Sequence, residues 1–163
     1  MVVFDATVLI DLFNPRLHAD RRAKIEQLVG ELQRKKAKIL IPTPALAEYL
    51  AKAGKARDKV HAELTTRGVF KIGSFDSRAA LECALMLDTA KRDGDKRGQA
   101  KTWAKAKFDW QIIAIAKVAN AHTLYSEDSD LARIGARHGI TVTKTDDLPL
   151  PASARQAKLD LPE

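Results

Sequence analysis

Five short runs rich in β-branched and aromatic residues, separated by segments of helical periodicity, are what most restrict the fold open to this chain. Val2-Val3-Phe4, Lys38-Ile39-Leu40-Ile41, Val69-Phe70-Lys71-Ile72, His122-Thr123-Leu124-Tyr125 and Ile140-Thr141-Val142-Thr143 are each short enough to be buried strands. Between them lie helical patterns. Val8, Leu9, Leu12 and Phe13 share one helix face, ended by Asn14-Pro15; Ile25, Leu28, Val29 and Leu32 share another, in a helix reaching about Lys35. Thr43-Pro44 reads as a helix start, with Thr as N-cap and Pro at the first helical position. Further helices are predicted over 56–67, from Arg78 to about Lys91 behind an Asp76 or Ser77 cap, from about Thr102 to Asn120, and from Asp130 to His138, where Gly139 stops it. Residues 91–99, with Gly94 and Gly98 among charges, read as a loop. Strands alternating with helices specify an α/β fold, a mainly parallel sheet covered on both faces.

A chain of 163 residues fits one domain, predicted over 1–148, with a polar, proline-containing tail over 149–163. Its single cysteine, Cys83, makes no internal disulfide, and no signal pattern opens the sequence, so a reducing cytoplasm is the expected location. The longest apolar stretches, such as Ile112 to Ala116, fall far short of the roughly 20 residues a membrane span needs. The formal net charge is +7, a balance that favours a polyanionic partner without naming an activity.

Ligands of such sheets bind beyond the carboxyl ends of the strands, which directs attention to acids there. Asp5 directly follows the first run; it is placed to cap the next helix or to face a ligand. Glu48 lies one turn into the Thr43-Pro44 helix, where the helix dipole also favours an acid. Asp109 shares a helix face with Ile112, Ile113 and Ala116, so its carboxylate falls on an apolar stripe and calls for a Lys, an Arg or a metal ion. Glu127, Asp128 and Asp130 crowd the loop after the fourth run. Carboxylates gathered from these segments repel one another unless divalent cations or raised pKa values accommodate them. An oxygen-only set points to Mg²⁺ or Mn²⁺ rather than zinc. His18, His61, His122 and His138 show no ligand spacing and read as surface or capping residues.

Four blocks, Val3-Phe4-Asp5-Ala6-Thr7-Val8-Leu9, Thr43-Pro44-Ala45-Leu46-Ala47-Glu48, Asp109-Trp110-Gln111-Ile112-Ile113-Ala114 and Leu124-Tyr125-Ser126-Glu127-Asp128-Ser129-Asp130-Leu131, together resemble the PIN-domain nucleases, and among them the VapC-type toxins. The resemblance runs from Val2 to about Thr143 and implies a three-layer α/β/α sandwich with about five strands. By that resemblance Asp5, Glu48, Asp109 and Asp128 are the catalytic, metal-holding quartet, Asp130 is a fifth acid, and Thr7 and Ser126 are supporting hydroxyls. It further implies metal-assisted hydrolysis of RNA phosphodiester bonds with Mg²⁺ or Mn²⁺, an antitoxin partner in a type II toxin–antitoxin pair, and a homodimer. Two alternatives are a PIN-type RNA-processing nuclease without an antitoxin and a non-catalytic RNA-binding module. A haloacid-dehalogenase-type phosphatase would need a second Asp where Thr7 stands, and no glycine-rich phosphate loop follows the first run.

Lys91 to Lys107 carries seven cations against two anions, five of the seven units of net charge. Arg97, Lys101, Lys105 and Lys107 are the candidate RNA contacts, Lys101 and Lys105 forming a ridge toward Asp109 on a continuous helix. Trp103 and Trp110 are either base-stacking residues or core.

Overall fold

A computed structural model describes residues 1–94 and 103–159 of the protein. Its strands are β1 (Val2–Phe4), β2 (Ile39–Pro42), β3 (Phe70–Gly73), β4 (Thr123–Tyr125) and β5 (Thr141–Thr143). They form one sheet in the order β3-β2-β1-β4-β5, and every pairing is parallel. The helices are α1 (Ala6–Phe13), α2 (Ala19–Arg34), α3 (Thr43–Lys52), α4 (Arg57–Thr66), α5 (Ser77–Arg92), α6 (Trp103–Val118), α7 (Ser129–Arg137) and α8 (Ala152–Leu159).

Period-2 alternation divides the central strands between two cores. Val3, Leu40 and Leu124 turn toward buried residues of α5, α6 and α7; Phe4, Ile39 and Ile41 turn toward those of α1 to α4. Helices therefore cover both faces, giving the three-layer α/β/α sandwich that the resemblance implied. This explains why β1 and β2 read as continuous apolar runs rather than alternating ones.

Two local details depart from the sequence expectation. Thr43 is the first residue of α3, not its side-chain cap; Pro42 is the N-cap, and Thr43 Oγ1 instead accepts a hydrogen bond from the Phe75 N–H at 3.2 Å. The expected tail carries α8, with Arg155 Nε donating to the Leu150 carbonyl at 2.7 Å. No helix among the described residues is long and apolar enough to cross a membrane.

The sheet order reverses at β1, which continues to β2 on one side and pairs with β4 on the other. That is the topological switch point, where the helices following β1 and β4 lead away in opposite directions and leave a crevice at the strand ends.

Candidate active site

Asp5 emerges from β1 into this crevice as the N-cap of α1, and its side chain is only 3% exposed. Oδ1 accepts hydrogen bonds from the Thr7 N–H (2.9 Å), Thr7 Oγ1 (2.7 Å) and the Val8 N–H (3.2 Å). Oδ2 accepts from Ser126 Oγ at 2.5 Å, a bond spanning β1 and β4. One oxygen of Asp5 thus serves the helix cap and the other faces the β4–α7 loop. All four donors are neutral. Burial raises the Asp5 carboxyl to about 6, and these hydrogen bonds offset it only in part.

Thr7 and Ser126 tie the loop together while they hold Asp5. Thr7 Oγ1 accepts from the Glu127 N–H at 3.1 Å, and Ser126 Oγ accepts from the Asp128 N–H at 2.9 Å. Asp128 caps α7, its Oδ1 accepting from the Asp130 N–H at 2.8 Å. Its neighbour Glu127 turns away from the crevice: Oε1 accepts from Thr145 N–H (2.9 Å) and Oγ1 (2.6 Å) and pairs with Arg21 Nη2 at 3.0 Å.

Asp5, Glu48, Asp109 and Asp128 line one cavity of about 470 Å³. Asp109 comes from α6 and is 5% exposed, as its position on the apolar stripe requires. Glu48 stands on the exposed side of α3 and forms an ion pair with Lys52 at 2.8 Å, one helical turn on. Asp130 is not among the cavity-lining residues; its carboxylate lies 3.7 Å from Arg133. Ala6, Thr7, Ala47, Ala51, Ile112 and Leu131 complete the walls together with Phe108, an aromatic that carries no site signal in the sequence. Its spacing from Ile112 reads as core, yet its ring is 47% exposed.

Of the other candidates, Lys107 is exposed on α6, whereas Arg97 and Lys101 lie outside the described residues, as do the side chains of Trp103 and Lys105. Trp110 is not available for stacking on a base: it is 2% exposed, in the core, with its ring 5.7 Å from that of His138. His18 caps α2, and His61 and His122 are exposed.

The donor set suits a hard divalent cation, being oxygen-only and including two buried acids. As the side chains stand, no group of three acids, histidines or cysteines among the described residues is drawn together tightly enough to hold one. Glu48 is engaged by Lys52.

An all-parallel α/β domain with an acid-lined cavity at its switch point defines a class of proteins that bind ligands at the strand ends. Within that class residues 2–137 match the family model described as PIN domain, and the chain belongs to that family. Similar solved structures include VapBC2 from Rickettsia felis bound to a DNA fragment from their promoter, 16% identical over 88% of this chain and 98% of that one, TM-score 0.62. DNA-bound VapBC from Salmonella typhimurium is 14% identical over 88% and 97%, TM-score 0.59. Mycobacterium tuberculosis VapC20, described as a sarcin-ricin loop cleaving toxin, is 13% identical over 83% and 95%, TM-score 0.56. At these identities the likeness is one of fold. No curated protein matches the chain in sequence.

Proposed function

We propose that this chain is a divalent-metal-dependent endoribonuclease and the toxin of a type II toxin–antitoxin pair. The observation that carries the proposal is the arrival of Asp5, Glu48, Asp109 and Asp128, from four separate segments, on one cavity at the switch point. Membership of the PIN family and the fold shared with VapBC complexes support it. Asp5 and Asp109 are the principal residues that would hold Mg²⁺ or Mn²⁺, with Glu48 and Asp128 beside them and Asp130 at most assisting. The bound cation would supply an activated water and neutralise charge on the phosphoryl group.

The chain's own residues prepare that site. Thr7 and Ser126 fix both oxygens of Asp5 and hold the β4–α7 loop against it. Ile112 and Leu131 shield the buried acids from bulk water. Lys107, together with Arg97, Lys101 and Lys105, supplies cations for the phosphate backbone.

The test is cleavage of RNA by the purified chain with Mg²⁺ or Mn²⁺ and with EDTA. Cleavage that needs the cation and disappears in Asp5→Asn and Asp109→Asn, both folded, is the expected result; metal-independent cleavage, or none, overturns it. Co-expression with the product of the adjacent reading frame separates the toxin from a processing nuclease. A small partner that co-purifies and suppresses cleavage is expected, and its absence leaves the processing role.

A further inference from the structure

A single exposed phenylalanine on a protein surface needs no explanation, but Phe108 stands on the wall of the acid-lined cavity. It immediately precedes Asp109 on α6 and leaves 47% of its surface open. Among the described residues, the other large apolar side chains with comparable exposure, Met1, Leu81 and Leu85, do not line this cavity. Ala47 and Ala51, one turn apart on α3, are also part of the lining, and their methyl side chains fill little of the cavity that the ring borders. The cavity thus presents two surfaces of different chemistry: carboxylates suited to a cation that could in turn engage phosphate, and a partly exposed apolar ring on its wall.

Resting on the nuclease reading above, we propose that Phe108 is a stacking platform for an unpaired nucleobase next to the scissile phosphate, so that the site selects single-stranded or looped RNA over duplex. A ring face is sequence-tolerant because every base has a π-surface. Within a duplex both faces of a base are already covered, so a paired nucleotide gains nothing from the ring until it leaves the stack. The ring also separates two jobs: the acids address the backbone common to all nucleic acid, and Phe108 addresses whether the base is free.

The experiment compares Phe108→Ala, Phe108→Leu and Phe108→Tyr with the unmodified chain. Leu keeps apolar volume without a flat face, and Tyr keeps the face, so packing and stacking make opposite predictions for these two variants. Steady-state cleavage of an unpaired oligoribonucleotide is measured alongside the same strand annealed to its complement. Binding is followed by the fluorescence of 2-aminopurine beside the cleaved bond, with Asp5→Asn added to every protein to prevent turnover. The expected result is quenching on binding that Phe108→Tyr retains and Phe108→Ala and Phe108→Leu lose. RNA affinity should fall by roughly 5-fold or more in the two non-aromatic variants, mainly as a higher KM, and the annealed strand should resist cleavage. Equal cleavage of paired and unpaired RNA, or a Phe108→Leu variant indistinguishable from the unmodified chain, overturns the stacking role and leaves the nuclease reading intact. An unmodified chain that neither binds nor cuts RNA overturns both.

Discussion

At Asp5, burial and hydrogen bonding act on one carboxyl in opposite directions, and burial prevails. Held near 6 instead of 3.8, the folded state binds the proton more tightly than the unfolded chain does. Stability from this group is therefore greatest below about pH 4 and is lost as pH rises through about 6, a loss on the order of 3 kcal/mol at neutral pH. Asp5→Asn should flatten that part of the urea-denaturation profile between pH 4 and 7 and raise stability at pH 7. Added Mn²⁺ should stabilise the unmodified chain at pH 7 and have much less effect on Asp5→Asn; equal responses would remove Asp5 from the cation site. Ser126→Ala withdraws a donor that lowers the Asp5 carboxyl, so the acid limb of RNA cleavage should move to higher pH while the alkaline side stays fixed. Asp5, Asp109 and Asp128 were legible in the sequence because each has a fixed relation to a strand end or an apolar stripe, whereas Glu48, on the exposed side of α3, stood out only through the family resemblance. Phe108 was not legible, since four-residue spacing to Ile112 describes a core face, and only the packing of α6 against α3 puts this residue on the cavity wall.

Elements carry the site through their termini. The β4–α7 connection delivers Asp128, and α7 is set close against β5 because residue 135 has no side chain: a Cβ built there falls 2.9 Å from Val142 Cγ2 and 3.0 Å from the Ile140 carbonyl oxygen. Backbone cannot yield as a flexible side chain does, so Gly135→Ala should cost about 1–3 kcal/mol in chemical denaturation. The displacement should also lower RNA cleavage, because the same helix begins at the Asp128 cap. Gly139 meets a different demand, a φ of +73° that ends α7 and starts the turn into β5. The strands and most helices were readable from periodicity and stop signals. The failures lie where a tertiary partner decides: Thr43 has the sequence of a cap, but its hydroxyl is taken by the Phe75 N–H, thirty-two residues away. Glu127 looks equivalent to Asp128 in a run of acids, yet the strand-to-helix turn sends the two to opposite sides of the loop.

Across the whole molecule, the side of the β4–α7 loop remote from the cavity is braced by segments distant in sequence. Arg21 of α2 contacts Asp11 (2.7 Å), Glu127 (3.0 Å) and Asp146 (2.6 Å), while Lys24 Nζ donates to the Asp146 carbonyl at 2.6 Å. Thr145, fully buried, completes the brace through Glu127. The chain beyond β5 thus helps set the loop that presents Ser126 and Asp128, although it contributes no acid to the cavity. Nothing local in the sequence signals this arrangement, because its members come from four segments and each reads as an ordinary surface charge or turn residue. Thr145→Val keeps the volume and removes the hydroxyl donor while the backbone N–H still binds Glu127. It should cost about 1–2 kcal/mol of stability and reduce cleavage more than substrate binding, since the loop and not the RNA contacts is loosened. Arg21→Gln should do the same through the other side of the Glu127 carboxylate. If the three groups act as one unit, a double-mutant cycle by urea denaturation will give a coupling energy of roughly 0.5 kcal/mol or more between Arg21 and Thr145. Strict additivity would show instead that α2 and the segment after β5 hold the loop independently.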